Sequence, residues 1–211
     1  MKIKSFNFNP FRVNTFIIYD DTKECIIIDA ACHEEFEVQQ ILDFISNNKL
    51  HPKFLLNTHG HVDHICGNNY ILNHFNIPLL MHEDDVFLVD SAVEHGNFFG
   101  FHISQPPLPT DFINEGENIK FGASSLEIIH TPGHSPGSVI FYTAMDHFLI
   151  SGDVIFSGSI GRTDLPGGNF EELINSIKSK IFVLPDKTLI YPGHGNSTTI
   201  SIERESNPFL Q

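Results

Sequence analysis

Four side chains of ligand type crowd into the six residues HGHVDH: His59, His61, Asp63 and His64. A chance match to such a cluster in one chain is on the order of a few in a thousand. His59 and His61 are two apart, so an extended backbone projects both to one side. Asp63 and His64 then begin a helix and face the same mouth. Imidazole combined with carboxylate suits zinc or iron better than calcium or magnesium, which prefer all-oxygen shells.

Three more residues stand in a similar setting. His134 lies in TPGHS directly after LEIIH, Asp153 ends the run ISGD, and His194 sits in IYPGHG. At each of these places an apolar strand gives way to glycine, so backbone and metal can approach closely. The competing view treats the seven as unrelated surface residues of a chain with 13 histidines. Convergence of several separate strand ends on one metal chemistry outweighs it. His33, His51, His74, His82, His95, His102, His130 and His147 read as structural or solvated.

The elements that must position these residues are short. Residues 3–8, 15–19 and 25–28 are rich in β-branched or aromatic side chains and read as strands. Residues 34–48 have helical apolar spacing and an acidic first turn. A strand over 53–58 runs straight into HGHVDH. Helical spacing over 66–75, a strand at 79–81 and a helix over 83–94 follow. Residues 95–116, rich in glycine, proline and phenylalanine, read as a long surface loop of the kind that often serves function. Strands are expected at 118–121, 126–130, 139–142, 148–150 and 188–191, with a helix over 170–180 and a short tail. Interspersed strands and helices fit two sheets packed face to face with helices outside.

HGHVDH, TPGHSPGS, SGDVIF and YPGHG together resemble the metallo-β-lactamase superfamily over most of the chain. The resemblance implies an αββα sandwich with metals at one edge. It implies that His59, His61 and His134 bind one metal, that Asp63, His64 and His194 bind a second, and that Asp153 bridges them. Two divalent cations are expected, zinc first, with iron or manganese as alternatives. Within the superfamily, VNTFIIYD, GSIGRTDLPGG and ESNPFL are most similar to glyoxalase II (hydroxyacylglutathione hydrolase) and its short bacterial relatives. Glyoxalase II proper carries a C-terminal helical domain that supplies basic residues for glutathione, whereas only 17 residues follow His194 here.

Two cations about 3.5–4 Å apart would share a water and lower its pKa toward roughly 7. Such a site suits a small acyl thioester, because a thiolate leaves with little proton donation. Asp63 is the expected orienter of the nucleophile. Arg162, in GRTDLP, has two readings of equal weight: an anion clamp at the rim, or an ion pair with Asp164. Cys66 reads as a packed side chain rather than a ligand, and Asn14 as either a site-lining or a turn-closing residue. The rival functions are a persulfide dioxygenase with a single iron and a lactonase. A non-catalytic metal-binding protein is disfavoured, because the donors sit at separate strand ends rather than in one histidine-rich tract.

Composition sets the remaining bounds. The 211 residues fit one domain spanning 1–211, with 41% hydrophobic and 18% charged residues. A formal net charge of -14 disfavours nucleic acid as substrate. Cys25, Cys32 and Cys66 form no CxxC pair, so a reducing, cytoplasmic setting is expected. The N-terminus lacks an apolar leader segment and no run is long enough to cross a bilayer, so no membrane association is expected.

Overall fold

A computed structural model describes residues 1–211. Two six-stranded sheets face each other. The first has the order β1 (Lys2–Phe8), β2 (Val13–Tyr19), β3 (Glu24–Ile28), β4 (His51–Leu56), β5 (Leu79–Met81) and β6 (Asp111–Phe112). The second runs β14 (Thr198–Thr199), β13 (Leu189–Pro192), β10 (Phe148–Gly152), β9 (Val139–Thr143), β8 (Ser124–His130) and β7 (Asn118–Phe121). A small hairpin, β11 (Ile155–Phe156) with β12 (Ser159–Ile160), stands apart. No helix is long and apolar enough to cross a membrane.

Three apolar layers hold this arrangement. Between the sheets, Phe16, Ile18, Ile26 and Leu56 meet Ile128, Val139, Phe141 and Ile150. Outside the first sheet, Val38, Ile41 and Ile45 of α1 (Glu35–Asn48) and Ile71 of α3 (Asn68–His74) cover Ile17, Ile27 and Leu55. Outside the second, Leu173 of α6 (Phe170–Ser176), Ile177 and Ile181 of the π-helical turn that follows it, and Ile200 of α7 (Ile200–Ser206) cover Ile140, Leu149 and Ile190. Central strands covered on both faces lose the alternation of a half-exposed strand, so β9 and β10 are buried throughout. The result is the expected αββα sandwich.

Three stretches differ from expectation. Residues 83–94 are not one helix: a 3-10 turn, Glu83–Asp85, leads into α4 (Val86–Asp90), and α5 (Ala92–Phe98) restarts after Ser91. Ser91 Oγ donates to the Phe87 carbonyl at 2.9 Å, the kind of local bond that competes with helix continuity. The expected loop over 95–116 begins inside α5 and is tied down at its end by β6, which pairs in parallel with β5. The expected tail contains α7, capped by Thr199, whose side chain accepts from Ile202 N at 3.3 Å.

Candidate metal centre

The donors leave the C-terminal ends of four strands at one edge of the sandwich. β4 leads to His59 and His61, and α2 (Val62–Ile65) carries Asp63 and His64. β8 leads to His134, β10 to Asp153 and β13 to His194. Glycine is required where these loops cross. A Cβ on Gly133, which has φ 130°, would stand 2.2 Å from Leu173 N, and one on Gly193 would stand 2.2 Å from Asp153 Oδ1.

All seven residues converge. His134 Nε2 lies 2.8 Å from His61 Nδ1 and 3.3 Å from His59 Nε2. His64 Nε2 lies 3.3 Å from His194 Nε2. Asp153 stands between the groups, with Oδ1 3.4 Å from His64 Nε2, and Oδ2 3.4 Å from His194 Nε2 and 3.8 Å from His134 Nε2. Asp63 Oδ2 is 3.5 Å from His194 Nε2.

The far side of most rings is anchored, which fixes which nitrogen faces inward. His134 Nδ1 donates to the Arg162 carbonyl at 2.7 Å. His194 Nδ1 donates to the Phe11 carbonyl at 2.9 Å. His64 Nδ1 meets Asp29 Oδ2 at 3.0 Å, and Asp29 also accepts from Thr58 N at 2.8 Å and Thr58 Oγ1 at 2.7 Å. His61 presents Nδ1 to the cluster rather than Nε2. These inward lone pairs face one another at distances too short for neutral imidazoles to share without a cation or protons between them. Asp153 Oδ1 is buried yet takes no hydrogen bond. Five imidazoles and two carboxylates so disposed fit divalent transition metals.

Electrostatics divide the cluster. Burial and neighbouring imidazoles hold His59 well below its ordinary value and His61 down to about 3. On the other side burial also opposes charge, but carboxylates outweigh it. His194 is raised to about 9 by hydrogen bonds to Asp153 and Asp63, and His64 is raised by Asp153 and Asp63. Burial pushes Asp63 and Asp153 up, yet the facing His64 and His194 hold both below the usual carboxylate range.

Two buried acids were not singled out from the sequence. Asp29 orients His64. Asp85 ties the HGH loop to the TPGHS loop: it accepts from Gly60 N at 2.8 Å, Ser135 Oγ at 2.7 Å and Gly137 N at 2.6 Å. Asp29 closes IIIDA at a strand end, a position like that of Asp153, but Asp85 in HEDD carries no local signal. Asn14 closes the His194 loop, donating to the Pro192 and Gly195 carbonyls at 2.9 Å each. Arg162 forms the ion pair, with Nε and Nη2 reaching the Asp164 carboxylate at 2.8 and 2.7 Å. Cys66 is buried, with Sγ 3.2 Å from the Ala31 carbonyl. His82 and His130 stack face to face, 4.2 Å and 7° apart, so their in-plane lone pairs do not converge on one point.

A family model for the metallo-beta-lactamase superfamily matches residues 8–194. The chain belongs to that superfamily and is a metallo-hydrolase within it. It is 39% identical to "Hydroxyacylglutathione hydrolase GloC" of Haemophilus influenzae, over 100% of this chain and 98% of that one. Among solved structures it resembles the BLEG-1 B3 metallo-beta-lactamase, at 34% identity and TM-score 0.91 with both chains fully covered. It also resembles TTHA1623, solved in a di-iron-bound form, at 33% identity and TM-score 0.88, covering 98% of this chain and 100% of that one.

Proposed function

We propose that this chain hydrolyses small acyl thioesters of the S-lactoylglutathione type, with two divalent metals held by His59, His61, His134, Asp153, Asp63, His64 and His194. The carrying observation is that the seven side chains converge and that five of them, His61, Asp63, His134, Asp153 and His194, line one open cleft of about 370 Å³, which gives a substrate carbonyl access to the centre. The name of the 39% identical relative supports the choice of thioester.

Bound at this centre, divalent cations supply a water of lowered pKa and polarise a carbonyl oxygen. The chain's own residues do the rest. Asp63 is ionised and partly exposed on the cleft floor, where its carboxylate accepts a hydrogen bond from the attacking water and orients it. The anchors on His134, His194 and His64 point their other ring nitrogens inward, where a bound cation would displace the protons that the acids hold on His194 and His64. Phe11, Val62 and Leu165 give the cleft an apolar wall. The thiolate of a thioester leaves without a dedicated acid. Three buried free thiols support a reducing, cytoplasmic setting.

Metal analysis of the isolated protein combined with turnover of S-lactoylglutathione tests this reading. Two metals per chain and rapid hydrolysis are expected. One iron per chain with oxygen consumption on glutathione persulfide identifies a dioxygenase instead, and ring opening of acyl lactones without thioester turnover identifies a lactonase.

A further inference from the structure

The cleft has a polar floor and an aromatic wall. Phe98 and Phe99 stand at the end of α5 with ring centroids 5.2 Å apart at 87°, and Phe99 meets Phe11 edge to face at 6.4 Å. All three line the cleft, and their exposures are 83%, 45% and 37% for Phe98, Phe99 and Phe11. Three adjoining exposed phenylalanines form an apolar patch that a folded chain has no packing reason to leave open.

The wall is fixed in place relative to the metal centre. Phe101 is buried with Val62 and Ile65 of α2, the helix that carries Asp63 and His64. Phe101 N also donates to Gly96 O at 2.7 Å, closing the end of α5. On the opposite side, the Phe11 carbonyl anchors His194. A group attached to a carbonyl held at this floor can therefore reach these rings, which share the cleft with the donors.

Charge points the same way. Arg162 is the one Lys or Arg lining the cleft, and Asp164 already holds its guanidinium. Divalent metals would offset Asp63 and Asp153 on the floor, so the contrast lies at the wall: an anionic carrier finds no free Lys or Arg there, whereas an apolar group finds ring surface.

We infer that Phe11, Phe98 and Phe99 form a subsite for an apolar acyl group, so that among the thioesters this centre takes, those with aryl-alkyl or alkyl acyl groups have a higher kcat/KM than lactoyl ones. This rests on the thioesterase reading for the reaction, but the subsite can be measured by binding alone. The carboxylic acid products of such substrates would place their carboxylate at the metals and their tail on the wall.

The test titrates butyrate and 4-phenylbutyrate into the metal-loaded protein by calorimetry, with Phe98→Ala, Phe99→Ala and the double variant alongside. Both rings are at the surface, so the variants keep the fold, which thermal midpoints check. Phe99→Leu serves as the apolar control. The unaltered protein should bind 4-phenylbutyrate about tenfold more tightly, equivalent to about 1.4 kcal/mol. The gain should fall to about twofold in the double variant and largely survive in Phe99→Leu. Equal affinities, a gain that outlasts both substitutions, or no binding of either acid overturns the subsite. A kinetic series on one short uncharged thiol, from lactoyl to 4-phenylbutanoyl, should rise in kcat/KM in parallel. Absence of all thioester turnover alongside the binding gain would remove the thioesterase reading and keep the subsite.

Discussion

The two halves of the metal centre solve the same problem by opposite means. His59, His61 and His134 are buried imidazoles, with His59 tied to Thr58 Oγ1 and His134 to the Arg162 carbonyl, and no carboxylate pairs closely with His59 or His61. Asp63, His64 and His194 are a mixed set in which acids hold protons on the imidazoles, with Asp63 and His194 open to the cleft and His64 buried behind them. The first half is poor in internal compensation and depends on its cation. The second already contains ion pairs, so a cation there displaces protons. Affinity in the first half is therefore a matter of geometry, and in the second a matter of pH.

Asp153 joins the halves, and its removal should give the largest effect. Asp153→Ala should lower occupancy in both and reduce kcat/KM by more than about a hundredfold, beyond the usual cost of losing an outer-shell partner. Metal counting by mass spectrometry and kinetics check this; full occupancy with full turnover would separate the halves altogether. Asp63→Asn should reduce kcat about ten- to a hundredfold, while Lys180→Ala, which breaks a surface pair with Glu115, should leave it unchanged. Equal rates for Asp63→Asn and the unaltered protein would remove that acid from the reaction.

Asp85→Asn should sharpen the contrast. It puts a donor where Gly60 N, Gly137 N and Ser135 Oγ all need acceptors, and should weaken the three-imidazole half about ten- to a hundredfold. Cobalt titration followed by absorbance would show one site weakened and the other kept. Equal weakening of both would mean that the loops do not move independently.

Chelator-stripped protein should respond to pH in opposite senses from its two halves. Folded His61 titrates at about 3 against an ordinary 6.5. Between those values the unfolded chain binds the extra proton, so stability falls as pH drops through that window. Folded His194 titrates at about 9, so the stability it contributes is full below 6.5 and lost as pH rises toward 9. The thermal midpoint of stripped protein should peak near the ordinary histidine value and flatten once metal is restored; a monotonic profile would break the comparison. The smallest effect is expected from Arg162→Ala. Its carbonyl, not its guanidinium, serves His134, and Asp164 already holds the guanidinium, so occupancy should hold and KM for S-lactoylglutathione should change by no more than about twofold.

The sequence showed the donors better than their supports, for a physical reason. His59, His61, Asp63 and His64 are neighbours in the chain, and His134, Asp153 and His194 each follow an apolar strand with glycine beside them, so local pattern suffices to find them. Asp85 acts on Gly60, Ser135 and Gly137, partners 25 to 52 positions away, and such a role is visible only after folding. The central layers were legible because buried strands are long apolar runs. α5 was obscured by Gly96, Gly100 and clustered phenylalanines, which read as loop until Phe101 is seen packing on Val62. α7 did carry a readable start in Thr199, but its brevity hid it.

Asn14 has a consequence for how this protein is made. Its amide bridges to Pro192 and Gly195, its backbone N–H donates to Gly193 O at 2.7 Å, and Val13 pairs with His194 itself. The last donor is thus placed by residues about 180 positions earlier, a very long-range closure. During synthesis the HGH loop can form while the chain is still growing, but His194 cannot be seated until β13 has emerged and met the first hairpin. Six of the seven donors precede it in the chain, so the set of Asp63, His64 and His194 is the last that a growing chain can complete.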